Sequence, residues 1–299
     1  MTALALSRTH IRQTIGAYVA LTKPRIIVEL LITTVPAMVL AANGWPDTWL
    51  VLATLVGGTM AAGSANAINM FLDRDIDGIM RRTRSRPIPS GLVTPAQALT
   101  FASALAVLSF LLLAFAANLL TAVLAMTALL FYVFVYTIWL KRSTPQNIVI
   151  GGAAGAMPPL VGWAAVTGSL DTAAIVLFAI IFIWTPPHFW ALALNLETDY
   201  EKAGVPMMPV VAGEASTRTQ ILIYSLLLFA VTLLLIPFGA ASYFYFGSAL
   251  VLGAGFIGLA FRLWRVGTSS AAASLFRYSL IYLALLFAAV AVDTWISRI

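Results

Sequence analysis

Three oxygen-bearing side chains recur at steps of four in one stretch of the chain: Asn69, Asp73 and Asp77, within NMFLDRDIDGIMRRTRSRP (69–87). On a helix, steps of four keep side chains on one face, about 6 Å apart along the axis. Such a face suits a hard divalent cation such as Mg2+, which takes oxygen ligands. Five arginines stand among and after them: Arg74, Arg81, Arg82, Arg84 and Arg86. Oxygen donors for a metal beside cations for an anion fit a metal–diphosphate complex. Asp75 falls off the face and reads as a solvated or supporting group.

A weaker echo follows at NLETDYEKAG (195–204), where Asn195 and Asp199 are again four apart, beside Glu201 and Lys202. Two such helix ends facing each other could share Mg2+ ions that bridge a diphosphate. Neutralising that leaving group eases cleavage of its bond to an allylic carbon. The cations expected on its oxygens are Arg81, Arg82, Arg86, Lys141, Arg142 and Lys202.

Other side chains gain meaning from their setting. Glu29 lies inside an apolar run, where an ionisable group is expensive and a functional candidate by default; its bland alternative is a pair with Lys23 or Arg25. His188, in WTPPHFWALAL (184–194), follows a Pro-Pro break among aromatic residues. A neutral imidazole there can ligate a metal or haem iron or serve as a base, or it can be a hydrogen-bonded packing residue. Tyr132 and Tyr136, four apart just before Lys141, offer either an interfacial aromatic belt or a π-face for a carbocation. His10 stands in the N-terminal tail and reads as exposed.

The elements that must position these residues are membrane spans. The 299 residues are 61% hydrophobic and only 9% charged, against about 25% charged in soluble domains. Apolar runs of the length a span needs fall at 25–43, 49–71, 96–116, 118–139, 147–167, 172–195, 219–240, 243–263 and 276–296. The short hinges at 116–118 and 240–243 could each lie inside one interrupted helix. The expected fold is therefore all-α and polytopic, about nine transmembrane helices around a central cavity. With the N-terminus in the cytoplasm, sixteen of the 17 Lys and Arg residues fall on the cytoplasmic side and only Arg298 outside, the positive-inside pattern. The net charge of +6 therefore belongs to loops, and nucleic acid is not an expected partner. A single membrane-embedded domain spans 1–299. Residues 1–22 form a cytoplasmic segment, and 72–95 and 196–218 are cytoplasmic active-site loops. No long apolar signal core is evident at the start, and a prokaryotic inner membrane is the expected location. Cysteine is absent, so neither a disulfide nor a thiolate metal site forms. Gly151 with Gly155, and Gly58 with Ala62, have the spacing of close helix contacts. Pro36, Pro158, Pro159, Pro186 and Pro187 would kink spans and open a cavity.

NxxxDxxxD at the end of the second run, the arginine-rich RTRSRPIPSG (82–91) and the second acidic cluster together resemble the UbiA-type intramembrane prenyltransferase superfamily. LTKPRIIVELL (21–31), YTIWLKRSTPQNIVIGGAAGAMPPLVGWAAVTG (136–168), WTPPHFWALAL and DYEKAGVPMMPVVAG (199–213) are similar to its haem-farnesylating branch. The resemblance covers nearly the whole chain. It implies nine helices around a cavity open laterally to the lipid bilayer and capped by cytoplasmic loops. It implies Mg2+–diphosphate held by Asn69, Asp73, Asp77 and Asp199. The farnesyl group of farnesyl diphosphate would join a vinyl group of haem B with addition of water, giving haem O. The consumer of that product would be a haem A synthase or a haem–copper oxidase assembly. Beside what the resemblance implies, His188, Tyr132, Tyr136 and Asn195 are the candidates from the residues themselves for the haem and substrate pocket. One departure stands out: relatives often carry an aspartate where this chain has Asn195.

Three alternatives stay open on the residues alone. One is a prenyltransferase of the same fold with a quinone-precursor or other tetrapyrrole acceptor. Another is a secondary transporter, although transporters place charge near the midplane and these clusters lie at span ends. The third, a haem-binding assembly factor without catalysis, leaves the Asn69–Asp73–Asp77 array unexplained.

Overall fold

Prolines, glycines and capping side chains end the helices where the apolar runs change character. The computed structural model describes residues 2–297, with side chains from Arg12 onward; the side chains of Arg8 and His10, and Arg298 entirely, lie outside the described residues. Regular structure among them is helical throughout. The helices are α1 (Thr2–Thr22), α2 (Pro24–Ala41), α3 (Thr48–Leu72), α4 (Arg74–Ile79), α5 (Pro95–Ala116) and α6 (Leu119–Leu130). A π-helical stretch, Phe131–Leu140, continues α6 into α7 (Lys141–Ser143). Then come α8 (Asn147–Ala156), α9 (Pro158–Thr167), α10 (Thr172–Leu194), α11 (Glu197–Lys202), α12 (Met208–Thr232), α13 (Tyr243–Val266) and α14 (Ser269–Ile296). Nine helical spans among the described residues are long and apolar enough to cross a membrane.

Local chemistry explains the boundaries. Thr94 and Gln97 form a capping box ahead of Pro95 and start α5, satisfying donors that the first turn leaves free. The Asn118 side chain accepts from Thr121 N at 2.9 Å, so the hinge at 116–118 separates two helices. Ser242 likewise begins α13 as a new helix after the turn at 236–241. The run 147–167 divides at Met157 because Pro158 and Pro159 lack the N–H groups that would continue α8. The N-terminal segment 1–22 is helical over Thr2–Thr22. Two expectations are corrected. The seventh span begins at Met208, not 219, and bends at Gly213 (φ 78°), so with α11 most of the predicted loop 196–218 is helical. The ninth span begins at Ser269, capped by Thr268.

Consecutive spans pack against one another in chain order, and α14 packs on α2 to close a ring. Serine side chains weld α3 to α5 inside the apolar layer: Ser64 Oγ donates to Ala102 O and Ser109 Oγ to Gly57 O, both at 2.7 Å. Large apolar side chains such as Phe115, Trp139 and Val251 point outward. An exposed apolar mantle of this extent needs lipid around it. The chain is a multi-pass membrane protein.

At the end of α14 sits a buried carboxylate that the sequence reading passed over. Asp293 accepts from Ser242 N (2.6 Å), Ser242 Oγ (2.6 Å) and Tyr245 N (3.0 Å), and so caps the first turn of α13. Asp293→Ala orphans these donors and should lower stability by about 2 kcal/mol. A thermal scan in detergent will show an earlier midpoint, with turnover per folded molecule unchanged.

Candidate active site

The site is assembled where α2 begins and α3 ends. Lys23 precedes Pro24, the first residue of α2, and adopts a left-handed backbone (φ 53°), uncommon for a residue with a side chain. From there its Nζ donates to Asn69 Oδ1 at 2.7 Å. Burial, then the charges of Arg86 and Lys141, push the Lys23 ammonium well below its ordinary value. Asn69 lies in the last turn of α3, which ends at Leu72. Asp73 joins α3 to α4, and Asp77 N donates to Asp73 O at 2.7 Å, so the helical spacing survives the joint.

Asn69, Asp73 and Asp77 are all buried, and each is tied to a cation or an amide. Asn69 Nδ2 donates to Asp73 Oδ2 at 2.8 Å and to Thr137 Oγ1 at 3.1 Å. Lys141 Nζ pairs with Asp73 Oδ2. Arg86 Nη1 donates to both oxygens of Asp77, at 2.8 and 2.7 Å. The loop after α4 brings Arg86 back by a run of tight turns, with Thr83 Oγ1 donating to Asp77 O at 3.1 Å. One oxygen is left over: Asp73 Oδ1 is buried with no hydrogen-bond partner, and Arg142 Nη2 stands 3.7 Å from it. Among the described residues no three His or carboxylate side chains gather as a ready metal cage.

These groups close one end of a cavity of about 330 Å3. Lys23, Asn69, Asp77, Arg82, Arg86 and Lys141 are on its wall; Asp73 lies just behind Asn69 and Lys141. The rest of the wall is mostly apolar and comes from α2, α3, α6 with its π-helical extension, α8, α9 and α10. In the π-helical stretch the wider i→i+5 turn carries Tyr132, Tyr136 and Lys141 to the cavity wall. The two tyrosine rings stack 5.2 Å apart at 29°. Gly151 is needed there, because a Cβ would come within 2.3 Å of Tyr136 Cδ2. Gly155 and Gly58 serve differently: nothing lies within 4 Å of a Cβ at either, and both line the cavity. The small-residue spacings therefore give both close packing and open volume.

The second cluster is placed otherwise than expected. Asn195 and Lys202 are exposed, Asp199 is half-buried, and none of them is on the cavity wall. The residue that α11 turns inward is Tyr200; its neighbour Asp199 is rotated by about 100° from that face. Tyr200 lies beside Arg82, and burial raises its hydroxyl above the ordinary value. Arg81 is exposed. Arg142 is taken by Asp75 through two 2.8 Å bonds and by Leu72 O at 3.1 Å. That pairing holds the Asp75 carboxyl down at about 2. Lys23 takes the place these cations leave. Its signal in the sequence was its position immediately before Pro24, level with the end of the second span.

Two intramembrane residues separate clearly. Glu29 is half-buried on the cavity wall, and no ion pair reaches it among the described residues, since Lys23 is engaged by Asn69. His188 is buried behind the wall. Its ring stacks on Trp184 (4.2 Å, 18°) and Phe276 (4.7 Å, 27°) and meets Phe189 edge-on. Ser279 donates its hydroxyl to Phe276 O, leaving its oxygen to accept from His188 Nδ1 at 2.6 Å. His188 thus packs between α10 and α14. His188→Ala should lower the thermal midpoint by several degrees while product per folded molecule stays within about threefold; a scan and a turnover assay on the same sample check it.

An all-helical membrane ring with oxygen donors and cations at one end of an apolar cavity defines an intramembrane enzyme for an amphiphile with an anionic head. A family model described as the UbiA prenyltransferase family matches residues 30–289, and the chain belongs to that family. The protoheme IX farnesyltransferase of Gloeobacter violaceus is 57% identical over 93% of this chain and 91% of its own. Curated relatives with the same description occur in other bacteria, and the chain spans about half the length of two of them. A solved structure from work on digeranylgeranylglyceryl phosphate synthase superposes with TM-score 0.78 at 20% identity, covering 94% of this chain and 98% of that one. A UbiA homologue from Archaeoglobus fulgidus bound to GPP and Mg2+ does so with TM-score 0.65 at 18% identity, covering 92% and 99%. These two likenesses establish the fold.

Proposed function

We propose that this protein transfers the farnesyl group of farnesyl diphosphate to a vinyl carbon of haem B, with water adding, to give haem O and diphosphate. The observation that carries this reading is the arrangement of Lys23, Arg86 and Lys141 around Asn69, Asp73 and Asp77 at the end of an apolar cavity. The name shared by close relatives supports haem as acceptor.

The donor set fits Mg2+: Asp73 Oδ1 is buried without a partner, and Asn69 and Asp77 supply further hard oxygens. Mg2+ held there would neutralise the diphosphate as it leaves. Lys141 and Arg86 each face a choice between an aspartate and the diphosphate. Moving onto the phosphate oxygens, they release the carboxylates and stabilise the charge that develops on the leaving group. Lys23, set by the start of α2, and Arg82, beside Tyr200, extend the cationic rim. The apolar wall excludes bulk water from the farnesyl cation, and Tyr132 and Tyr136 present π-faces to it. The vinyl π-bond of the porphyrin then attacks. Asp199, Asn195 and Lys202 reach the reactants only if α11 turns.

The chain works as one membrane-embedded unit, 1–299, in a prokaryotic inner membrane. The polar end faces the cytoplasm, since the loops bearing the lysines and arginines join spans at that end. The product serves haem–copper oxidases directly or after a haem A synthase.

Purified protein in lipid should release diphosphate from farnesyl diphosphate only when both Mg2+ and haem B are present. Chelation should abolish release, and Mg2+ should restore it. Release that ignores haem B would contradict the acceptor, and movement of substrate across the bilayer without release would favour a transporter.

A further inference from the structure

The reaction has two chemical halves, and the polar end accounts for the first. Leaving-group departure and carbon–carbon bond formation use cations and π-faces. The second half, capture of water, needs a group that takes a proton beside the cationic carbon, on the apolar side of the diphosphate and away from the polar end. The cavity wall carries two carboxylates, Glu29 and Asp77. Asp77 is committed to Arg86 by two short hydrogen bonds. The lysines and arginines on the wall serve anions.

Glu29 remains, and its place is informative. It lies six residues along α2 from Lys23, so about 9 Å further from the polar end at the rise of an α-helix. The farnesyl carbon that reacts is bonded to a diphosphate oxygen. The acceptor carbon that becomes cationic is one bond beyond the new carbon–carbon bond, and so lies on the apolar side of the diphosphate, as Glu29 does. Thr33 stands four residues on, hence on the same face, and also lines the cavity. Thr33 Oγ1 donates to Leu30 O at 2.9 Å, which leaves its lone pairs free to accept. A water at this face can donate one hydrogen to Glu29 and the other to Thr33, with its own lone pair turned to the cavity. A carboxylate without a cation inside a membrane span is expensive and a functional candidate by default.

We propose that Glu29, with Thr33, holds the water that ends the reaction, and that the Glu29 carboxylate accepts its proton; this rests on the farnesyl transfer proposed above. The step balances as follows. The carbon–oxygen bond of farnesyl diphosphate breaks, and its electron pair leaves with diphosphate. The vinyl π electrons form the bond to the farnesyl carbon, leaving a cation on the carbon attached to the porphyrin ring. The water oxygen bonds to that carbon, one water proton passes to Glu29, and it returns to solvent by way of the departing diphosphate. No oxidant or reductant is consumed.

The test reads product masses. Wild type, Glu29→Gln and Glu29→Asp are expressed in membranes, quantified, and supplied with haem B, farnesyl diphosphate and Mg2+. Wild type should give farnesylated haem carrying a hydroxyl. Glu29→Gln should still prenylate haem, but the cation should lose a proton to give an alkene lighter by one water, and the hydroxylated share should fall at least tenfold, a conservative floor below the about 10²–10⁴-fold that a positioned base supplies. Glu29→Asp should restore part of the hydroxylated share. A merely structural role would reduce both products together without changing their ratio. An unchanged ratio in Glu29→Gln overturns the proposal, as does the loss of both products in both well-inserted variants. If wild type itself leaves haem unmodified, the underlying farnesyl transfer fails, and the two failures are told apart.

Discussion

Asp73→Ala should abolish turnover, by about 10³-fold or more, and leave the ring of helices intact. The side chain is fully buried at the joint between α3 and α4, with one oxygen held by Asn69 and Lys141 and the other without a hydrogen bond, 3.7 Å from Arg142. Removing it takes a hard oxygen from the proposed Mg2+ site and unseats Asn69 and Lys141 together. Electrostatic groups aimed at developing charge are worth about 10²–10³ each in rate, and here a ligand and two positioned neighbours go at once. The structural penalty is smaller, about 1–3 kcal/mol for partners left unpaired, because Lys141 and Asn69 both border the cavity and can be rehydrated. Haem prenylation per folded molecule, measured beside the thermal midpoint, separates the two effects. Wild-type turnover in this variant would contradict the reading of Asn69, Asp73 and Asp77 as one site.

The second large effect comes from adjacent cations with opposite expectations. Lys141→Ala should reduce turnover by about 10²-fold, the loss of one donor to a developing anion, and weaken use of farnesyl diphosphate. Arg142→Ala should change turnover less than about threefold. Lys141 lines the cavity and bonds Asp73, whereas Arg142 is off the cavity wall, bonds Asp75 on the outside of the joint and only stands 3.7 Å from Asp73 Oδ1. That outer pair is largely exposed, and exposed pairs contribute about 0–1 kcal/mol. Steady-state rates across farnesyl diphosphate concentrations read both variants. Equal losses at the two positions would contradict the division of roles.

Much of this was legible in the chain because apolar length and charge placement are strong signals. The nine runs each mark a span, although the seventh and ninth spans begin earlier, at Met208 and Ser269, and the Asn69–Asp73–Asp77 face and the tyrosine pair sit where helical spacing puts them. What the sequence hid is rotational or tertiary. In α11 the acidic pattern drew the eye to Asp199, but in a six-residue helix one step of rotation decides which side chain enters, and Tyr200 does. Arg142 looked like a phosphate ligand until Asp75, 67 residues away in sequence, was seen to claim it. Lys23 looked like a loop charge because a left-handed lysine before a proline is a property of backbone, not of composition. His188 looked available because its cover, Phe276 and Ser279, comes from α14. Asp293 left no local trace at all: the donors it caps are about 50 residues earlier.

The most direct measurement is the mass of haem extracted from bacterial membranes that lack any farnesyltransferase of their own, with this protein or its Asp73→Ala variant supplied. Haem that gains a farnesyl group plus water with the intact protein, and stays as haem B with the variant at equal membrane abundance, is the predicted result. Unmodified haem B beside abundant, well-inserted intact protein would contradict it and redirect the search to other acceptors for the same diphosphate site.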